Sequence, residues 1–148
     1  MVEALAIATH LGPGTMPQLT QALLSWMGEA AVPPETAFAV QFAVEELVTN
    51  QRTHAGGEGQ PLHLQLELQP DALKLTLEDP GLPFDPSQTA DPNLAQPLAQ
   101  RPLGGLGIYL TRHLASRIHY TPLHPGNRVC CWFSLHPPPR SDAAAPAG

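Results

Sequence analysis

The residues best suited to chemistry lie within one predicted helix. Glu46, Asn50, Thr53 and His54 are spaced i, i+4, i+7 and i+8, so on a helix they share one face. A carboxylate one turn from an amide presents oxygen atoms to a hard cation, and Mg²⁺ combines such ligands with water and phosphate oxygens. The carboxylate could also accept a proton from an attacking hydroxyl. From the spacing alone, either a magnesium and general-base site or an ordinary solvated helix face remains open.

A second candidate group follows a predicted strand. Residues 73–77 lead to Asp79, and Pro80-Gly81 then forces a turn. A carboxylate at a strand end can accept a hydrogen bond from an exocyclic amine, and glycine allows a ring to approach the backbone closely. An isolated Asp-Pro-Gly is also common in plain turns, so this pattern too has two interpretations.

A third group is a run of glycines before a helix. Gly104, Gly105 and Gly107, with Leu106 between the last two, lead directly into a predicted helix. Backbone amides at a helix N-terminus can hold phosphate oxygens. The same run could instead be a flexible join between two elements.

The elements that must position these groups follow from hydrophobic periodicity and from proline and glycine positions. Alternation predicts a β-hairpin over 62–68 and 73–78, joined by a short link. A third helix is expected over 107–117, with Leu110, Leu114 and Ile118 facing inward. The other predicted elements are a strand at 2–9, a helix at 17–28, a helix from 34 to the stop at Gly56-Gly57, and strands at 118–121 and 128–135.

This order predicts an α/β two-layer sandwich, with helices on one face of a mixed, mostly antiparallel sheet. The domain is expected to span residues 1–136, followed by a disordered Pro/Ala-rich tail at 137–148. A long segment at 86–103 has no periodic pattern, and such loops are usually functional or disordered.

Composition narrows the class of protein. The chain has 148 residues, a formal charge of −6 and few, scattered arginines, which argues against a nucleic-acid binder. We expect no membrane span and no signal peptide, and therefore a cytoplasmic protein. Cys130 and Cys131 are adjacent, so on a strand they point to opposite faces and predict two buried thiols. The chain lacks a P-loop string and has no room for the dimerisation helices of a complete sensor histidine kinase.

Together, Glu46-Leu-Val-Thr-Asn50, Asp79-Pro-Gly-Leu-Pro-Phe-Asp-Pro86 and Gly104-Gly-Leu-Gly107 resemble the three nucleotide-binding boxes of the GHKL (histidine-kinase-like) ATPase superfamily. They are most similar to its bacterial anti-sigma-factor serine/threonine kinase branch. The resemblance covers nearly the whole chain except the tail. It implies a Bergerat-type ATP-binding fold, ATP and Mg²⁺ as cofactors, and phosphorylation of an anti-sigma-factor antagonist by a protein that also sequesters a sigma factor. Homodimerisation is a further expectation from this branch.

The resemblance also implies roles for single residues in the first two boxes. Glu46 is the general base, Asn50 the magnesium ligand, and His54 helps to shape the nucleotide site. Asp79 recognises the adenine amino group, and Gly81 lines the base pocket. Gln51, which follows the magnesium ligand, departs from the family pattern of a small or apolar residue.

In the third box, Gly104, Gly105, Leu106 and Gly107 are expected at the phosphates, and 86–103 becomes a lid over them. The branch often carries an arginine just before these glycines, and Arg101 is the candidate substitute. Asn127 stands where wider members have the threonine of a Gly-Thr pair beside the adenine site. Two other functions stay open at this point: a nucleotide-regulated module that sequesters a regulator without phosphotransfer, and a degenerate fold that binds no nucleotide.

Overall fold

The structure, a computed structural model, describes residues 3–54, 58–88 and 105–137, without the side chain of His54. Three helices and five strands make up these ranges. In chain order they are β1 (Ala4–His10), α1 (Thr15–Glu29), α2 (Pro34–His54), β2 (Pro61–Leu68), β3 (Ala72–Asp79), a 3-10 turn (Pro86–Gln88), α3 (Gly105–Leu114), β4 (Arg117–Leu123) and β5 (Gly126–Ser134).

The five strands form one sheet in the order β1-β2-β3-β5-β4. Every neighbouring pair is antiparallel, so within the described residues the sheet is wholly antiparallel and not mixed as the sequence predicted. The predicted α/β sandwich is confirmed, and so is the β2–β3 hairpin, which the Gln69 N–H closes by donating to the Ala72 carbonyl at 2.8 Å.

Strict alternation along the central strands builds the core. Every second residue of β2 and β3 faces the helices and is buried, as in Leu64 and Leu75, while the residues between them face outward. β5 contributes Val129, Cys131 and Phe133 to the same face. Each buried leucine or phenylalanine contributes roughly 1.5–3 kcal/mol relative to an exposed one. This apolar layer fixes the register, because a slip of one residue would turn the whole set toward solvent.

Helix α2 packs across this core, and the contacts at its start fix the position of its C-terminal half. Pro34 occupies the first helical position, where a missing N–H costs nothing. The buried Thr36 hydroxyl donates to the Ser134 carbonyl at 2.7 Å, which ties the start of α2 to the end of β5. Because β5 runs antiparallel to β3, the far end of α2 then lies over the end of β3, beside Asp79.

The prediction for α3 was wrong in its end and in its inward face. The helix ends at Leu114, and Leu110 and Leu114 are 39% and 40% exposed. Ile108, Thr111 and Ala115 face the core instead. A threonine is accepted there because its hydroxyl donates to the Gly107 carbonyl at 2.9 Å within the helix. Ile118 lies on β4, opposite Cys131, and packs half-buried against the core, so its inward orientation was predicted correctly but not its place in α3.

The cysteines lie as predicted. Cys130 and Cys131 are both buried and free, on opposite faces of β5. Burial, followed by the neighbouring Cys130, raises the pKa of the Cys131 thiol to about 12, so this thiol stays protonated at physiological pH.

Some expectations fall outside the part of the chain that the structure describes. These are Val2, the stop at Gly56-Gly57, the lid from residue 89 onward, Arg101, Gly104 and the tail from residue 138. As for membranes, no helix in the described ranges has the length and apolar character needed to span a bilayer.

Candidate nucleotide site

Several elements meet at one end of the sheet: the C-terminal half of α2, the end of β3 and the start of β5. Between them is a cavity of about 10 Å³. That volume corresponds to roughly one water molecule. Its polar lining comes from Asn50, Gln51, Asp79 and Asn127, and its walls include Phe84 and Pro86. The cavity as it stands is too small for a purine ring, so nucleotide binding requires its lining residues to move apart.

Asp79 is at the centre of this site and is 4% exposed. Its Oδ1 accepts a hydrogen bond from Gln51 Nε2 at 2.8 Å. Its Oδ2 accepts one from the Gly81 N–H at 2.9 Å and one from Asn127 Nδ2 at 3.2 Å. A buried carboxylate needs such donors, because an unpaired buried charge is strongly unfavourable. The three donors fix the plane of the carboxylate and leave it acceptor capacity for one more partner.

Asn127 lies directly across the sheet from Asp79 in the β3–β5 register. Its Nδ2 donates to Asp79 and to the Leu82 carbonyl, the latter at 2.9 Å. Its Oδ1 accepts from the Phe84 N–H at 2.9 Å and from the Tyr120 hydroxyl at 2.6 Å. These four bonds use the full capacity of an amide side chain. The Asn127 side chain therefore holds the 82–84 turn and Asp79 in place through these hydrogen bonds.

The backbone of Gly126, the residue before Asn127, lies in close contact with the backbone of Asp79 and Pro80. Gly126 has φ +112°, a conformation that other L residues rarely adopt. A Cβ at this position would lie 2.8 Å from the Pro80 Cα, and closer still to the Asp79 carbonyl oxygen. A glycine is thus required here for β5 to start beside the end of β3.

Glu46 and Asn50 lie one turn apart on α2, and Asn50 is 7% exposed. Asn50 Nδ2 donates to the Glu46 backbone carbonyl at 2.6 Å, an assignment that leaves the amide oxygen as the group available to a cation. Burial, and then repulsion from Glu45, raise the pKa of the Glu46 carboxyl. A raised pKa moves a carboxylate toward the range in which a general base works well.

The residues present fit a magnesium ion only when a nucleotide brings further ligands. In the described ranges, no three His, Cys, Asp or Glu side chains cluster in a way that could hold a metal. One amide oxygen from Asn50 is compatible with Mg²⁺, which keeps several waters and takes its remaining ligands from phosphates.

The N-terminus of α3 faces the same part of α2. The first N–H groups of a helix have no partner inside it, and in α3 these belong to Gly105, Leu106 and Gly107. Gly107 lies against the Glu46 side chain: a Cβ on Gly107 would be 2.9 Å from Glu46 Cγ and nearer still to its carboxylate. A candidate general base and a candidate phosphate-binding helix end are therefore in direct contact.

The structure brings together most of the predicted site residues. Glu46 and Gly107 touch, while Asn50, Asp79 and Asn127 line one cavity. Gly81 is joined to Asp79 through its N–H. Thr53 is exposed, and among the described residues its hydroxyl donates to the Thr49 carbonyl of its own helix. Arg101, Gly104 and the His54 side chain lie outside the described residues.

The sequence interpretation missed Gln51, Phe84 and Tyr120 as parts of the site. For Gln51 a signal existed. It follows Val44, Leu47 and Val48 at the spacing of the buried stripe of α2, so a polar residue there needs a buried partner. Phe84 and Tyr120 gave no such signal, because their roles depend on which strands become neighbours.

A carboxylate at a strand end, an amide on a neighbouring helix and glycines at a second helix N-terminus thus lie at one end of this α/β sandwich, an arrangement whose chemistry is compatible with a nucleotide. The pattern of the histidine kinase-like ATPase domain matches residues 10–132 of this sequence. The chain therefore belongs to the histidine kinase-like ATPase family.

Two known proteins are similar to this chain over part of their own length. A serine/threonine-protein kinase, BtrW of Bordetella bronchiseptica, is 32% identical over 85 residues, which span 56% of this chain and 60% of that protein. The crystal structure of the RsbU and RsbW domains of Rv1364c from Mycobacterium tuberculosis has a similar fold, with a TM-score of 0.60 and 12% identity. That match covers 89% of this chain and 32% of the other.

Proposed function

We propose that this protein is a magnesium- and ATP-dependent serine/threonine kinase that acts as an anti-sigma factor and phosphorylates an anti-sigma-factor antagonist. The observation that carries the proposal is the contact between Glu46 and Gly107, which places a carboxylate of raised pKa at a helix N-terminus able to hold phosphates. The relative named as a serine/threonine-protein kinase supports the reaction class. A cytoplasmic location belongs to the same proposal.

Each group has a part in this reaction. Asp79 binds the adenine amino group, and the α3 amides hold the phosphates. Mg²⁺, when bound through Asn50 and the phosphates, neutralises charge on the group being transferred. Glu46 takes the proton from the acceptor serine hydroxyl as its oxygen attacks the γ-phosphorus, and the bond to the β-phosphate oxygen breaks to release ADP.

Calorimetric titration with ATP, with and without Mg²⁺, tests the nucleotide site first. We expect magnesium-dependent binding that Asn50→Ala weakens at least tenfold, in keeping with loss of a cation ligand. Thr53→Ala is the matched control, because Thr53 lies one turn further along the same helix and is exposed. No heat and no thermal stabilisation at millimolar ATP would contradict every ATP-dependent function for this chain.

Transfer itself is tested with ATP labelled at the γ-phosphate and candidate antagonist proteins. We expect label on a serine of one of them and a loss of about two to four orders of magnitude in Glu46→Ala, the contribution typical of a general base. ATP binding should persist in that variant. Tight ATP binding without transfer to any candidate would count against the kinase.

The exposed Phe38 and the half-buried Phe42 beside it on α2 favour a second candidate function, a module that sequesters a sigma factor without phosphotransfer. The Phe38 side chain is 63% exposed, and its ring centroid is 6.3 Å from that of Phe42. Exposed aromatic side chains are enriched where proteins bind partners. A regulatory output that is lost in Phe38→Ser but unchanged in Glu46→Ala would favour this module over the kinase.

A further inference from the structure

Gln51 has a buried side-chain amide whose nitrogen makes a hydrogen bond and whose oxygen makes none among the described residues. It is 6% exposed and lines the cavity that also contains Asp79. Its Nε2 donates to Asp79 Oδ1 at 2.8 Å. Its Oε1 is buried and makes no hydrogen bond among the residues the structure describes. A buried acceptor left without a donor lowers stability, so such groups usually have a partner of some kind.

The free oxygen cannot simply exchange places with the nitrogen. Turning the amide over would place Gln51 Oε1 against the Asp79 carboxylate, acceptor against acceptor, and would remove one of the three donors of a buried charge. Asp79 therefore fixes the orientation of the Gln51 amide. Two acceptors, one carboxylate oxygen and one amide oxygen, remain for a ligand at this cavity.

We propose that Gln51 is a specificity-determining residue for the base, whose Oε1 accepts a hydrogen bond from the exocyclic amine of a 6-aminopurine. This inference rests on the proposed nucleotide-binding function. An exocyclic amine carries two N–H groups, which match the acceptors of Asp79 and Gln51. A 6-oxopurine presents an oxygen at the same position, so its C6 substituent would offer no donor to either acceptor and would add a third acceptor beside them. The departure at position 51 thus gives the site a second group that selects amine over carbonyl.

The test compares the affinities for ADP and inosine diphosphate, in which the amine is replaced by a carbonyl oxygen. Calorimetry on the full chain gives the ratio of the two dissociation constants for the wild type, Gln51→Met and Gln41→Met. Methionine keeps the length of the side chain and removes both polar groups. We expect the wild type to prefer ADP and Gln51→Met to reduce that preference roughly tenfold, the value of one net hydrogen bond.

Gln41 is a matched control on the same helix. Its Nε2 is also held, by the Thr20 hydroxyl at 2.9 Å, and its Oε1 is also buried without a hydrogen bond. It faces α1 rather than the cavity. Gln41→Met should therefore leave the preference for ADP unchanged even if it alters thermal stability. An equal change in both variants would show that the preference responds only to stability, and would overturn the proposal.

The remaining outcomes separate this inference from the function on which it rests. ADP binding with the same preference in Gln51→Met as in the wild type would overturn the role of Gln51 and leave nucleotide binding intact. No binding of either nucleotide by the wild type would overturn both. If Gln51→Met does not fold, wild-type binding of N6-methyl-ADP, which retains one N–H, decides. A loss of roughly tenfold relative to ADP is expected, and equal affinity would overturn the proposal.

Discussion

The carboxylate of Glu46 on α2 lies directly against the Cα of Gly107 on α3. A single carbon added to Gly107 would come within 2.9 Å of Glu46 Cγ, and closer to the carboxylate itself. Cβ atoms in proteins essentially never show contacts of this kind, so the glutamate would have to move. The position of the candidate base therefore depends on the absence of a side chain at residue 107.

Gly107→Ala should remove phosphotransfer without weakening the fold. Alanine restricts the unfolded chain more than glycine and is tolerated in the first turn of a helix, and it keeps the N–H that would hold a phosphate. Its Cβ, however, displaces the Glu46 carboxylate. We expect ATP affinity within a few-fold of the wild type and a rate of transfer lowered at least a hundredfold, a loss of the size expected for a general base.

The control for that variant is Gly28→Ala in α1, where a Cβ meets nothing within 4 Å. It should raise stability by up to about 1 kcal/mol and leave transfer unchanged. Full activity in Gly107→Ala would show that Glu46 acts from another position or not at all.

Glu46→Gln should lower the rate of transfer by about two to four orders of magnitude while keeping or raising thermal stability. Burial and Glu45 raise the pKa of Glu46 above its ordinary value of 4.5, so the folded state disfavours the ionised form. Above the pKa of Glu46 in the folded state, the ionised side chain lowers the free energy of unfolding. As the pH falls through that pKa, Glu46 takes up a proton and the lost stability is regained. Glutamine removes the charge and its cost. Thermal unfolding at neutral pH measures the effect on stability, and a transfer assay on the same variant measures the effect on the rate.

The same shift predicts how transfer depends on pH. A protonated Glu46 cannot accept a proton, so the rate should fall as the pH drops through its raised pKa. Glu45→Gln removes the repulsion that contributes to the shift, and it should move this acidic limb to lower pH. A limb in the same place in wild type and Glu45→Gln would mean that another group controls the rate.

The fold was largely predictable because alternation and helical spacing are local properties of the sequence. The β2–β3 hairpin follows from the leucines at every second position, and the inward face of α2 follows from Val40, Val44 and Leu47. The third helix was less predictable. Its leucines are more apolar than Thr111, yet Thr111 is fully buried because its hydroxyl is satisfied within the helix.

The hydrogen bonds of the site were not predictable from local pattern. Asn127 was expected beside Asp79, but its bonds to Tyr120 and to the 82–84 turn depend on β5 lying between β3 and β4. In the sequence alone, Gln51 is a departure from a family pattern and nothing more. Its partner, Asp79, is 28 residues away and comes within reach only once α2 packs over the sheet.

Gly126→Ala should destabilise the protein and remove nucleotide binding together. A positive φ costs an L residue about 1–3 kcal/mol. At Gly126, with φ +112°, there is a further clash with Asp79 and Pro80. We expect a total loss of at least about 3 kcal/mol in the free energy of unfolding. Urea denaturation measures this loss, and calorimetry with ADP measures the effect on the site.

Gly59→Ala provides the comparison for that prediction. Gly59 also has a positive φ, +87°, but a Cβ there meets nothing within 4 Å. It should therefore show the conformational cost alone, about 1–2 kcal/mol, with ADP affinity unchanged. Equal losses in the two variants would mean that the contact between Gly126 and Asp79 adds nothing to stability.

Asn127→Ala should be more damaging than Tyr120→Phe, although each removes the bond between these two residues. Tyr120→Phe takes away one donor to Asn127, whose Oδ1 keeps the Phe84 N–H, so about 1 kcal/mol should be lost. Asn127→Ala removes four hydrogen bonds at once, those with the Tyr120 hydroxyl, the Phe84 N–H, the Leu82 carbonyl and Asp79. We expect a loss of about 3 kcal/mol, since each net hydrogen bond contributes about 0.5–1.5 kcal/mol. Urea denaturation of both variants decides, and equal losses would show that Asn127 does not organise the turn that carries Phe84 to the cavity wall.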